Sequence, residues 1–154
     1  MFDLEDSLKQ FPVIELGSGD VLLTQGEKTD ALYFLIEGGV SVVKDGFELT
    51  HKSLAGSVYG EMSVILDIAH SATVKCTMDC RFYCIKNPKK YLEGHPEVIW
   101  HIVKILSMRL ASLNEYLVDI RSQHDDQDKK KLSAEEKGSE RKKIVNEILQ
   151  ILQV

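Results

Sequence analysis

The stretch GEMSVILDIAHSATV, residues 60–74, holds the residues whose types and spacing could do chemistry. Gly60 allows close approach of a ligand to the backbone, and the Glu61 carboxylate can accept hydrogen bonds from sugar hydroxyls. Met62 to Leu66 reads as one short helical turn, whose first N–H groups and positive dipole end suit an anion such as a phosphate. Nine residues after Glu61 the chain returns as His70-Ser71-Ala72-Thr73-Val74 and enters a strand. The chemistry on offer is capture of an anionic sugar-phosphate. Bond-breaking machinery is missing: the five histidines form no HExxH or metal-spaced cluster, and there is no Gly-x-Ser-x-Gly elbow or P-loop. His70 and Ser71 invite a base–nucleophile pairing, but adjacent strand residues face opposite ways. The sequence therefore predicts a binding protein, not an enzyme, with no metal and no cofactor.

The elements that must position these residues are short strands. Val13–Leu16, Val21–Thr24, Leu32–Glu37, Val40–Lys44, Phe47–Leu54, Ala72–Thr77 and Arg81–Ile85 are β-favouring runs, separated by Gly, Asp and Ser. Asp45-Gly46 between two such runs is a hairpin signal. Regular short strands with glycine-rich turns imply a closed sandwich, roll or barrel. Residues 2–10 read as a short polar helix or lead-in. After Asn87-Pro88 the pattern turns helical, broken at Gly94-His95-Pro96.

From Ile99 the apolar residues become periodic. Ile99, Val103, Leu106, Leu110, Leu113, Leu117 and Ile120 are spaced 4, 3, 4, 3, 4, 3, an a/d seam expected at a dimer interface. A helix over 97–122 would be about 39 Å long. A second stripe (Val98, Ile102, Ile105 and Met108) occupies an adjacent face, and is assigned to packing on the β-domain. Residues 122–143 form a charged, nearly neutral linker. Ile144, Val145, Ile148, Leu149, Ile151 and Leu152 make a short apolar helix over 144–154, too short to stand alone and a possible contact for a protein partner.

The chain has 154 residues, 44% of them hydrophobic, and a net charge of −5. It can bury a sizeable core as one domain over 1–121. The acidic balance gives no attraction to nucleic acid or anionic membrane. No run is apolar enough to span a bilayer, and no signal-peptide pattern opens the chain, so a cytoplasmic protein is expected. Cys76, Cys80 and Cys84 are read as small core residues.

The pattern as a whole resembles the cyclic nucleotide-binding domain family of catabolite-activator-type regulators, kinase regulatory subunits and gated channels. Its carriers are the 60–74 stretch, with Gly19-Asp20-Val21-Leu22, Gly26-Glu27, Leu32-Tyr33-Phe34-Leu35-Ile36, Gly38 and Val40 upstream. Thr73-Val74, Cys84-Ile85 and the long helix fit downstream, so the likeness covers residues 10 to 121. The resemblance implies a mainly β fold with C-terminal helices: a double-stranded β-helix, or jelly roll, followed by a long dimerisation helix. It implies that Glu61 accepts from the ribose 2′-OH, that Gly60 lies against the sugar, and that Ser71 and Ala72 hold phosphate oxygens. Val58, Met62 and Val74 would line an apolar floor, and Leu113 and Asn114 would cover the base.

His70 departs from the family pattern, which has Arg there. Arginine offers a permanent charge and a bidentate fork; histidine, with a reference pKa near 6.5, is only fractionally charged at neutral pH. Losing one charge-assisted hydrogen bond costs roughly 1.5–3 kcal/mol, about ten- to a hundred-fold in affinity. Three readings stay open: a homodimeric module binding cAMP or cGMP weakly, a site for another small anionic ligand, and a degenerate fold serving as a dimeric protein-interaction scaffold. Many family members carry a helix-turn-helix after the long helix; the chain after Arg121 is too short for one, so no contact with nucleic acid is expected. If the seam pairs two copies, Leu110→Glu combined with Leu113→Glu leaves the β-domain folded and yields a monomer by sedimentation. A variant that stays dimeric refutes the seam.

Overall fold

The computed structural model describes residues 3–49, 54–128 and 145, with side chains left aside over 123–128. It divides into two compact units, Met1–Ile105 and Leu106–Val154. In the first, α1 (Leu4–Leu8) leads into strands β1 (Val13–Leu16), β2 (Val21–Leu23), β3 (Ala31–Glu37), β4 (Val40–Lys44), β5 (Phe47–Leu49) and β6 (Val58–Tyr59). Helix α2 (Glu61–Leu66), strands β7 (Thr73–Cys76) and β8 (Cys80–Lys86), helix α3 (Lys89–Gly94) and the long helix α4 (Pro96–Asp128) follow.

The strands form two four-stranded sheets, ordered β1-β8-β3-β6 and β2-β7-β4-β5, and every pairing is antiparallel. This is the jelly-roll arrangement expected. Period-two alternation decides which side chains go inside: along β4, Val40 and Val42 are buried, while Ser41 and Val43 between and after them are only half-buried. Between the sheets lie Leu23, Leu35, Val40, Val42, Tyr59, Val74, Cys76, Cys80 and Phe82. Tyr59 meets Phe82 edge-on at 6.3 Å. The cysteines are core residues, as expected; burial pushes the Cys76 thiol up to about 12, so it stays protonated. At the β4–β5 hairpin, Asp45 and Gly46 both take positive φ, 52° and 82°. That is what a two-residue turn joining twisted strands requires.

The strand beginning at Phe47 is described as far as Leu49; of its expected continuation, 50–53 lie outside the described residues and Leu54 is not in a strand. The two-residue strand β6 carries no recognisable sequence pattern of its own. Helix α4 continues past 122 to Asp128, because nothing in Ser122–Asp128 breaks a helix. The rest of the expected linker and the apolar C-terminal helix lie outside the described residues, save Val145, which is helical.

On α4 the two apolar stripes have separate fates. Val98 and Ile102 are fully buried in the first unit, as assigned, whereas Met108 is exposed. Of the seam, Ile99, Val103, Leu110 and Leu113 are exposed. Leu106 and Ile120 are half-buried, and Leu117 is already buried within the chain. Beneath the roll, the Tyr91 hydroxyl donates to the Ser7 carbonyl at 2.8 Å, and its ring meets Phe11 edge-on at 4.7 Å. This ties α3 to α1.

The β3–β4 turn is one tight backbone point in the roll. Gly38 has φ +111°, and a Cβ there would stand 2.6 Å from the Asp79 carbonyl oxygen and 2.8 Å from the Cys80 Cα. Both neighbours are backbone and cannot step aside. Gly38→Ala is expected to cost ~2–4 kcal/mol, lowering Tm by roughly ten degrees or more in a thermal melt. A variant melting with the parent contradicts the packing described here.

Candidate functional site

The site is built from two chain segments brought edge to edge. The first follows β6, which pairs with β3 in the register Tyr33↔Tyr59 and Phe34↔Val58. Gly60 then turns into α2 with φ +86°, and a Cβ there would lie 2.6 Å from the Ala31 carbonyl oxygen. Only glycine satisfies both conditions, so β6 and α2 can meet at this angle. Glu61, the first helical residue, is buried at 4% exposure, and Met62 beside it is 44% exposed.

Six residues make too short a helix to persist by propensity. Side-chain and backbone bonds close it instead. The Ser63 hydroxyl donates to the Ile68 carbonyl at 2.6 Å, and the Ile68 N–H donates back to the Ser63 carbonyl at 3.3 Å. Asp67 ends the helix in a left-handed conformation, φ 56°. Its carboxylate accepts from the Lys28 ammonium at 2.6 Å, and its carbonyl accepts from the same group at 3.1 Å. Lys28 holds the Asp67 carboxyl below the usual range.

The second segment, 70–72, is fixed by its backbone. The His70 N–H donates to the Glu27 carbonyl at 2.7 Å, and the His70 carbonyl accepts from the Gly26 N–H at 2.9 Å. The Gln25 N–H donates to the Thr73 hydroxyl oxygen at 3.0 Å one step further on. Ala72 then packs against the core at the start of β7. The Ser71 hydroxyl meets the Met62 sulfur at 4.0 Å, joining the two segments. No hydrogen bond among the described residues uses the backbone N–H of Ser71 or Ala72. Two adjacent amides are therefore available to an anion.

Gly60, Glu61, Met62, Ser71 and Ala72 are thus brought together, with Val58 fully buried one step upstream. Val74 is buried in the core. Asn114 and Leu113 are exposed residues of the second unit. His70 has its own arrangement. It is 6% exposed, and its Nε2 lies 2.9 Å from the Thr29 hydroxyl oxygen. Burial lowers its pKa, with Glu27 pulling the other way. A neutral ring bonded to Thr29 is a different device from a charged fork aimed at a phosphate.

Sequence reasoning did not single out Thr29, Lys28 or Ser63, which support the site. Their signal is faint, since a loop threonine, a loop lysine and a helical serine have ordinary uses. Among the described residues no group of three His, Cys, Asp or Glu could hold a metal ion, and no helix is long and apolar enough to cross a membrane.

Comparison with known proteins bears on this geometry. A family model described as the cyclic nucleotide-binding domain matches residues 13–90. The chain is 35% identical over 63 residues to a cAMP-dependent protein kinase regulatory subunit of Yarrowia lipolytica, covering 41% of this chain and 16% of that one. It is 35% identical over 97 residues to glutaminase 1 of Bradyrhizobium diazoefficiens, covering 61% and 16%. The chain thus spans about a sixth of the length of these relatives. Among solved structures, the catabolite activator protein of Thermus thermophilus superposes with a TM-score of 0.62 at 23% identity, over 77% of this chain and 58% of that one. Domains of this family are regulatory in the main, and the glutaminase likeness records an enzyme that carries one. A jelly roll whose β6–α2 turn, short helix and return strand fall within the matched residues leads to one conclusion: this chain belongs to the cyclic nucleotide-binding domain family.

Proposed function

We propose that the protein is a non-catalytic regulatory module that binds a cyclic nucleotide, cAMP or cGMP, weakly, and passes the event to α4, whose exposed seam pairs with a second copy. The observation that carries this reading is the pair of amides at Ser71 and Ala72 that no hydrogen bond among the described residues uses, on the segment whose Ser71 hydroxyl lies 4.0 Å from the sulfur of Met62, next in sequence to a buried Glu61. The cyclic phosphate would sit on those amides and the Ser71 hydroxyl. The ribose 2′-OH would donate to Glu61, with the sugar against Gly60. The relatives agree in kind, since one is a cAMP-dependent protein kinase regulatory subunit.

Weak binding follows from the phosphate side. His70 is buried, bonded to Thr29 and biased towards neutrality, and Lys28 is committed to Asp67. The phosphate would be held by neutral donors, whose bonds are roughly half as strong as charge-assisted ones. The same observation favours a second reading, a scaffold on a fold that has given up its ligand.

Thermal melting separates the two. Cyclic AMP or cyclic GMP at 1 mM is expected to raise Tm by a few degrees, as about 1–2 kcal/mol of ligand stabilisation gives in a domain of this size. Ser71→Ala should reduce that rise. No rise with either nucleotide at millimolar concentration leaves the scaffold reading alone standing.

Acid should act on the ligand-free protein through His70. Its pKa lies below 6.5 in the folded state, so between that value and 6.5 the unfolded chain binds more protons. Stability is complete above about pH 6.5 and declines as pH falls through the folded-state pKa. His70→Gln should flatten the decline in melts between pH 7.5 and 5. An unchanged slope would mean that His70 is not the group responsible.

A further inference from the structure

Helix α4 meets the roll at a polar point as well as an apolar one. His101, in its second turn, places Nε2 2.8 Å from the Gly56 carbonyl oxygen, and its ring lies tilted against Phe34 at 6.4 Å. A carbonyl only accepts, so Nε2 carries the proton. Protonation at Nδ1 leaves that donor in place, and the bond holds in either charge state.

The Leu54–Ser57 turn that offers this carbonyl is itself rigidly held. The Gly56 N–H donates to the Leu35 carbonyl, and the Leu35 N–H donates to the Ser57 carbonyl, both at 2.8 Å. The Leu54 N–H donates to the Ser57 hydroxyl oxygen at 3.2 Å. Strand β6 begins at the next residue and leads into Gly60. His101 is thus tied to the root of the segment that carries Gly60 and Glu61. The neighbouring contacts of α4, through Val98 and Ile102, are apolar. Apolar burial is non-directional and tolerates sliding. A hydrogen bond falls off steeply with angle and fixes register.

We infer that His101 is a positioning residue: its bond to Gly56 locks the first turns of α4 to the β6–α2 segment, so that the placement of α4 and the conformation of the ligand-binding turn change together. The inference rests on the sensing role proposed above, but part of it is measurable without ligand. His101→Phe keeps a ring against Phe34 and removes the donor; His101→Gln keeps an amide donor at the reach of Nε2.

Hydrogen exchange on the ligand-free full chain is the test. In His101→Phe, exchange should quicken about threefold to tenfold over residues 98–105 and also over 58–68, the loss of one net hydrogen bond. His101→Gln should restore both. Trp100, the sole tryptophan and 66% exposed, should shift its emission in the phenylalanine variant alone. Faster exchange in α4 with residues 58–68 unchanged, or no change in either, overturns the inference. Should His101→Phe fail to fold, His101→Asn, whose donor is too short to reach Gly56, takes its place. If neither nucleotide stabilises the parent protein, the sensing role falls, and the exchange comparison still decides the coupling.

Discussion

The reciprocal backbone bonds between His70 and the Gly26–Glu27 turn are the constraint on which the site depends. Strand β7 is anchored by its register with β2 and β4, and that register begins at Thr73. The residues just before it have no ladder to define them. Bonding residue 70 through both its N–H and its carbonyl fixes the direction in which residues 71 and 72 leave the turn. Their amides can then go without a partner among the described residues and the segment still not collapse onto the core, where an orphaned N–H would cost roughly 1–3 kcal/mol. An anion-binding edge needs donors that are both ordered and unused. Here the order comes from one residue upstream.

The same arrangement explains what became of the histidine side chain. With its backbone bound to the β2–β3 connection, the ring reaches Thr29 in that connection and is buried there. Burial disfavours the charged form, so this position contributes packing and a neutral hydrogen bond. The nearby cation, Lys28, neutralises Asp67 at the end of α2. That pair is solvent-exposed and adds little stability. Its effect is local: it holds the left-handed residue that closes the short helix. The site is consequently organised by backbone geometry more than by charge, in keeping with an acidic chain.

Much of this was legible in the residues. Asp45-Gly46 gave the β4–β5 hairpin because both positions need positive φ, and few pairs tolerate it. The spacing from Gly60 to Val74 gave the turn, the short helix and the returning strand, since glycine, carboxylate and helix start carry separate physical signals. Val98 and Ile102 gave the buried face of α4 through their period. What stayed hidden was pairwise. That His70 would meet Thr29, Lys28 would reach Asp67, and His101 would find the Gly56 carbonyl depends on three-dimensional proximity between residues 39 or more positions apart. No local propensity encodes such contacts. Strand β6 escaped for a related reason: two residues are too few to express a period, and its pairing with β3 alone defines it.

The end of α4 shows where periodicity misleads by being too regular. A seam spaced 4 and 3 without a break suggests one uniform interface, yet its members differ in burial. Ile99, Val103, Leu110 and Leu113 remain exposed while Leu117 does not. Among the described residues, the exposed members of the seam run from Ile99 to Leu113. That stretch begins in the turns anchored by His101, so an interface formed there would feel the same bond that ties α4 to the root of the binding turn.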